Sequence, residues 1–191
     1  MFFPIPEAVR RQAKSPHELT MVNLLIFNLL ALIALLGGSF VEQDSSLAPY
    51  RTLGVMVPLC LSLAIVAYSF LRARRTALAG PWFLAAHWRL ARGRYKILLA
   101  VYLGGAGLIG LGWLLAHTQK LPGMQAMMFI ALQRVAIAPM LIALMVLIML
   151  ASGAIYQAQR GEVPDRLVQR FPPPPDLTGA DTEFASGAAS A

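Results

Sequence analysis

Four long apolar stretches govern what this chain can become. They read "LLIFNLLALIALL", "VMVPLCLSLAIVAYSFL", "ILLAVYLGGAGLIGLGWLLAH" and "MQAMMFIALQRVAIAPMLIALMVLIMLASGAIY". A helix needs about 20 residues to cross a hydrocarbon layer about 30 Å thick. Inside that layer every backbone N–H and C=O must be paired within the protein, a condition a helix meets by itself. The expected fold is therefore an all-α integral membrane protein, a four-transmembrane-helix bundle with spans at about 20–40, 52–71, 97–117 and 135–156. Composition agrees: 58% of the residues are hydrophobic and 13% charged, against about half and about a quarter in soluble domains.

Two boundaries need a chemical argument. In "SPHE", Ser15 can act as N-cap, Pro16 can occupy the first helical position, and Glu18 follows three residues after the cap. That pattern predicts the start of the first helix at Ser15 and leaves 1–19 as an N-terminal segment. The fourth stretch is too long for one upright span and contains Gln133 and Arg134. An arginine is costly at the bilayer centre and tolerable at its edge. The expected division is a short interfacial helix over Met124–Leu132, followed by a span over Val135–Tyr156 with Arg134 at its mouth.

The net charge of +7 is unevenly placed. Arg10, Arg11 and Lys14 precede the first span; Arg72, Arg74, Arg75, Arg89, Arg92, Arg94 and Lys96 lie between the second and third; Arg160, Arg166 and Arg170 follow the fourth. The alternate flanks hold only Arg51, Lys120 and Arg134. Cations in short flanks resist translocation, so both termini are expected in the cytoplasm, and an inner (plasma) membrane is the expected location. The basic run "HWRLARGRYK" then faces anionic headgroups, which attract each nearby cation by about 1 kcal/mol. Trp82, Trp88, Arg89, Arg92, Arg94 and Lys96 are the expected membrane-surface contacts. Nucleic acid is not an expected partner, because no recognition fold fits between the spans.

Polar and small residues inside the apolar runs suggest packing rather than chemistry. Gly104, Gly107 and Gly110 recur along the third span, and small residues let membrane helices approach closely. Asn23 and Asn28 stand in the first span, where a carboxamide needs a partner across a helix interface. Outside the membrane, Glu42 or Asp44 could form a structural ion pair with Arg134. No histidine pair is expected at a common buried depth, which argues against a bis-histidine haem. The lone Cys60 reads as a packed apolar residue.

After Tyr156 the composition becomes polar and proline-rich, and 157–191 is expected to be a disordered tail. The sequence implies no cofactor and no catalytic set, so an enzyme is not expected. The expected function is that of a multi-pass accessory, assembly or scaffold subunit accompanied by other membrane subunits. The alternative is a small transporter or Cu(I)-handling protein, since thioether is a soft ligand and Met124, Met127 and Met128 fall near His117.

Overall fold

The structure is a computed structural model and describes residues 1–38, 46 and 48–177. It is all-helical: 85% helix and no strand among the described residues. Helix α1 covers Glu7–Val22, a π-helical turn covers Asn23–Asn28, and α2 covers Leu29–Gly38. Then come α3 (Ala48–Ala79), α4 (Trp82–Ala116), α5 (Pro122–Arg160) and the short α6 (Asp165–Arg170). Four helical runs are long and apolar enough to cross a membrane: Glu7–Gly38, Thr52–Ala79, Trp82–Ala116 and Pro122–Arg160. Their flanks expose Ile33, Leu53, Leu103, Ile142 and Met145, each more than half accessible. Apolar surface on that scale marks a membrane or protein interface. The fold thus defines a polytopic helical membrane protein.

Several boundaries differ from those the sequence suggests. The first helix starts at Glu7, and Pro16 sits inside it. Its buried residues Ala13, Pro16, His17 and Thr20 follow the i, i+3, i+4, i+7 stripe of a packed helix face. Packing of that face outweighs the Ser15 start signal, and the Thr20 hydroxyl donates to the Pro16 carbonyl at 2.7 Å. The short helix expected over Met124–Leu132 is not a separate element, because α5 runs unbroken through Gln133, Arg134 and Pro139. Gln133 explains how. Buried in the helix, it donates through Nε2 to the Leu35 carbonyl at 3.2 Å, one of the last four of α2 that have no partner within their own helix. The cation-rich segment between the second and third expected spans is also helical, broken only at Gly80–Pro81, so "HWRLARGRYK" lies on α4.

The chain divides into two compact units. The first gathers Met1–Met21, Val66–Gly93 and Met149–Ala191. Its centre is the start of α4, where every residue from Trp82 to Trp88 is buried. Phe3, Ile5, Ala13, Ala73, Ala158, Val163 and Val168 share a core with that segment. Trp82 meets Phe3 edge-on at 4.9 Å, stacks on Phe171 at 6.0 Å and donates its indole N–H to the Phe171 carbonyl at 3.1 Å. Trp82 and Trp88 are therefore core residues rather than the headgroup contacts expected of them: Phe3 and Phe171 pack on Trp82, and Tyr68 meets Trp88 edge-on at 6.4 Å.

That arrangement also corrects the expected tail, since helix α5 continues to Arg160, α6 follows, and Val163 and Val168 are buried in the core with Leu167 and Phe171 packed against it. The reversal is made by Gly161, at φ +73°. Glu162 N–H donates to the Gln157 carbonyl at 2.9 Å and Gly161 N–H to that of Ala158 at 3.4 Å. This pair of bonds is the Schellman closure, which favours glycine at the left-handed position. The chain then runs back beside its beginning, with Phe3 N–H on the Gly161 carbonyl and Val163 N–H on the Met1 carbonyl, both at 3.0 Å. Residues 178–191 of the expected tail lie outside the described residues.

The second unit gathers Val22–Ile65 and Arg94–Ile148. Leu24, Tyr95, Leu98, Leu144 and Leu147 are its most buried large side chains, and Asn23, Asn28 and Ser62 are buried with them. In α4, Gly105 and Gly112 contact α5: a Cβ built on Gly105 would come 2.4 Å from Met140 Sδ, and one on Gly112 would come 3.0 Å from Leu132 Cβ.

Candidate functional site

The second unit places a closed polar cluster in its apolar interior. Asn28 closes the π-helical turn, Ser62 comes from α3 and Tyr102 from α4. The Asn28 Nδ2 group donates to the Ser62 Oγ at 3.0 Å and to the Asn23 carbonyl at 2.9 Å, with Asn23 Oδ1 further off at 3.3 Å. The Tyr102 hydroxyl donates to Asn28 Oδ1. Tyrosine has one hydroxyl hydrogen, so the 2.6 Å contact between Ser62 Oγ and Tyr102 OH must be donated by serine. The donors thus run in one direction around a ring, from Asn28 to Ser62 to Tyr102 and back to Asn28. Each hydroxyl gives one bond and receives one. Such a ring satisfies polar groups that would otherwise be expensive in hydrocarbon.

The π turn belongs to the same construction. Its bonds reach one residue further than those of an α-helix, and such turns recur at functional sites. Here the turn begins at Asn23 and ends at Asn28, the residues joined by the amide contacts just described. Asn23 is fully buried, and its Nδ2 has no hydrogen-bond acceptor among the described residues.

Against the ring opens a cavity of about 180 Å³. Its wall is aliphatic, from Leu32, Leu35, Val55, Leu59, Leu98 and Leu144 among others, and among the described residues Asn28 and Tyr102 alone bring side-chain oxygen or nitrogen to it. Asn23 and Ser62 are not in the wall. An apolar pocket with a few convergent polar groups is the general form of a small-molecule site.

The residues singled out from sequence scatter more widely. Gly104, Gly107 and Gly110 have nothing within 4 Å of an added Cβ. At about 100° per residue, their face points about 150° away from that of Gly105 and Gly112, the glycines in contact within this chain. The heptad separation of Gly105 and Gly112 is the sequence signal for that face. Arg94 is buried rather than at a surface, whereas Arg89 and Arg92 are half-buried and Lys96 is exposed. The Arg89 guanidinium lies 3.7 Å from the Phe171 ring centre. Arg134 is exposed on α5, and its expected partners Glu42 and Asp44 lie outside the described residues. Met124 and Met127 are exposed and Met128 is half-buried. His117 is exposed and turned onto Trp113, its Nδ1 donating to the Trp113 carbonyl at 2.8 Å.

His17 and His87 correct the expectation that no histidine pair is buried. Both are almost wholly inaccessible within the first unit, and His17 Nε2 is 2.9 Å from His87 Nδ1. Phe83 packs against the His87 ring at 4.6 Å. Trans ligands to one metal stand about 4 Å apart, so this geometry is a direct hydrogen bond and not an axial pair.

No protein family, curated protein or solved structure matches this chain in the three comparisons made.

Proposed function

We propose that this protein is a non-catalytic accessory or assembly subunit of a larger complex in an inner (plasma) membrane, with both termini in the cytoplasm. The observation that carries the reading is the unfilled glycine face of α4. Lipid-facing positions ordinarily hold large apolar side chains, whereas glycine rows admit another helix at close range. Among the described residues that face has no neighbour: a Cβ built on Gly104, Gly107 or Gly110 meets nothing within 4 Å. Only 17% of the most apolar window of α4 is buried, the lowest share of the four spans. A helix from a second protein fits that face better than acyl chains do.

Orientation rests on the cations. Thirteen of the sixteen Lys and Arg residues fall in the flanks assigned to the cytoplasm, and Arg72, Arg74, Arg75 and Lys96 are exposed and available to anionic headgroups. The decisive experiment incorporates a photo-crosslinking residue at Gly107 and irradiates native membranes. A stoichiometric adduct with one membrane protein is expected, together with its loss when Gly110 is replaced by leucine. Adducts to lipid alone would overturn the reading.

A further inference from the structure

We propose that the cavity beside the Asn28–Ser62–Tyr102 ring is a binding site for a membrane-soluble molecule with an apolar body and a hydroxyl group at one end. This goes beyond the subunit reading and does not depend on it, because the glycine face and the cavity are formed by different residues.

Size sets the first limit. An apolar cavity of about 150 Å³ accepts a benzene ring, and this one holds about 180 Å³. It takes one substituted ring or a comparable length of aliphatic chain. The wall chemistry sets the second limit, since eleven apolar residues would exclude a charged head and the two polar ones must receive whatever is not hydrocarbon.

The hydrogen-bond direction sets the third and sharpest limit. Both Nδ2 hydrogens of Asn28 are engaged, one on the Asn23 carbonyl and one on Ser62. The Tyr102 hydrogen is on Asn28 Oδ1, and the Ser62 hydrogen is on Tyr102. No donor of the ring is left for a ligand. Acceptor capacity remains, because a carboxamide oxygen has two lone pairs and Tyr102 occupies one. A ligand hydroxyl can donate to Asn28 Oδ1 with the ring intact. A ligand carbonyl or ether would set lone pair against lone pair, or force a ring bond to break. The unused donor of Asn23 does not alter this, since Asn23 is not part of the wall. The site therefore selects the hydroxyl form of a molecule over its keto or ether form.

The test uses the full chain in lipid nanodiscs and a 4-alkylphenol bearing a diazirine as photolabel. Competition by 4-butylphenol is compared with 4-butylanisole at matched membrane mole fraction, and dodecanol is compared with its methyl ether. The first pair probes a ring-headed ligand and the second a chain alcohol. The expected result is that in at least one pair the hydroxyl compound competes about three- to tenfold better, the ratio that one hydrogen bond gives in a membrane protein. Label should fall on the peptides carrying Leu98 and Met140. Ala106→Phe and, separately, Ala31→Leu fill the cavity from two sides and should abolish the label. Equal competition within both pairs, or label that persists in both variants and maps elsewhere, overturns the proposal.

Discussion

The polar ring makes a quantitative prediction, because its bonds can be removed in an overlapping way. Tyr102→Phe keeps the aromatic wall and deletes two bonds, the one donated to Asn28 and the one received from Ser62. Ser62→Ala also deletes two, and the Ser62–Tyr102 bond is common to both changes. Side-chain hydrogen bonds in membrane proteins are worth about 0.6 kcal/mol on average and up to about 1.7, so each single variant should lose about 1–2 kcal/mol. The double variant loses three bonds, not four. It should therefore be less destabilised than the singles combined by about one bond, or about 0.6 kcal/mol, and by more if the ring bonds polarise one another. The assay is equilibrium unfolding in mixed micelles of increasing dodecyl sulfate fraction, followed by far-ultraviolet circular dichroism. A coupling below about 0.3 kcal/mol, the scatter of independent sites, would show that no closed ring exists and would remove the donor-direction argument for the ligand.

Four further outcomes are expected. Gly112→Ala should lower the melting temperature in detergent, at a cost of about 1–3 kcal/mol, because the new methyl meets the rigidly placed Cβ of Leu132 at 3.0 Å. Gly107→Ala has nothing to meet and should leave the isolated chain as stable or up to about 1 kcal/mol more stable through helix propensity. Gly161→Ala should loosen the end of the first unit, since φ is +73° and the methyl would lie 2.7 Å from the Phe3 carbonyl; left-handed backbone alone costs about 1–2 kcal/mol, and faster proteolysis beyond Arg160 is the readout. His87→Leu should cost about 1–3 kcal/mol by removing the buried hydrogen bond to His17, and replacing both histidines by leucine should cost less than the two single changes together; equal or greater cost in the double variant would refute a pairwise bond.

How far the helices extend was less legible than their number. Four spans follow from apolar length alone, which the solvent enforces. The cation-rich run from Arg72 to Lys96 stays helical because charge does not break a helix, and it contains only one strong breaker, Gly80–Pro81. The structure turns there. At Gln133 and Arg134, likewise, a costly position is not an impossible one. Gln133 is accommodated because α2 ends nearby with a carbonyl in need of a donor, and no local pattern announces that. The order of residues 161–171 was hidden for a related reason: it depends on Trp82 and Phe3, both distant in sequence.

The ring was closer to the surface of the sequence than its recovery suggests. Asn28 reads as a carboxamide in need of a partner, and depth points to that partner. Asn28 stands eight residues in from Thr20, Ser62 nine in from Leu71 and Tyr102 five in from Ile97, each counted from the cation-rich end of its span. At 1.5 Å per residue these are depths of about 12, 14 and 8 Å, and a tyrosine side chain reaching further inward covers the difference. Three spans thus deliver their polar side chains to one level. What depth cannot supply is direction around the ring, because that follows from which atoms come within bonding distance. The same limit applies to the histidines: the 2.9 Å contact of His17 with His87 depends on α1 starting at Glu7 and on α4 starting at Trp82. Helix ends, more than helix interiors, decide which polar groups in this chain meet.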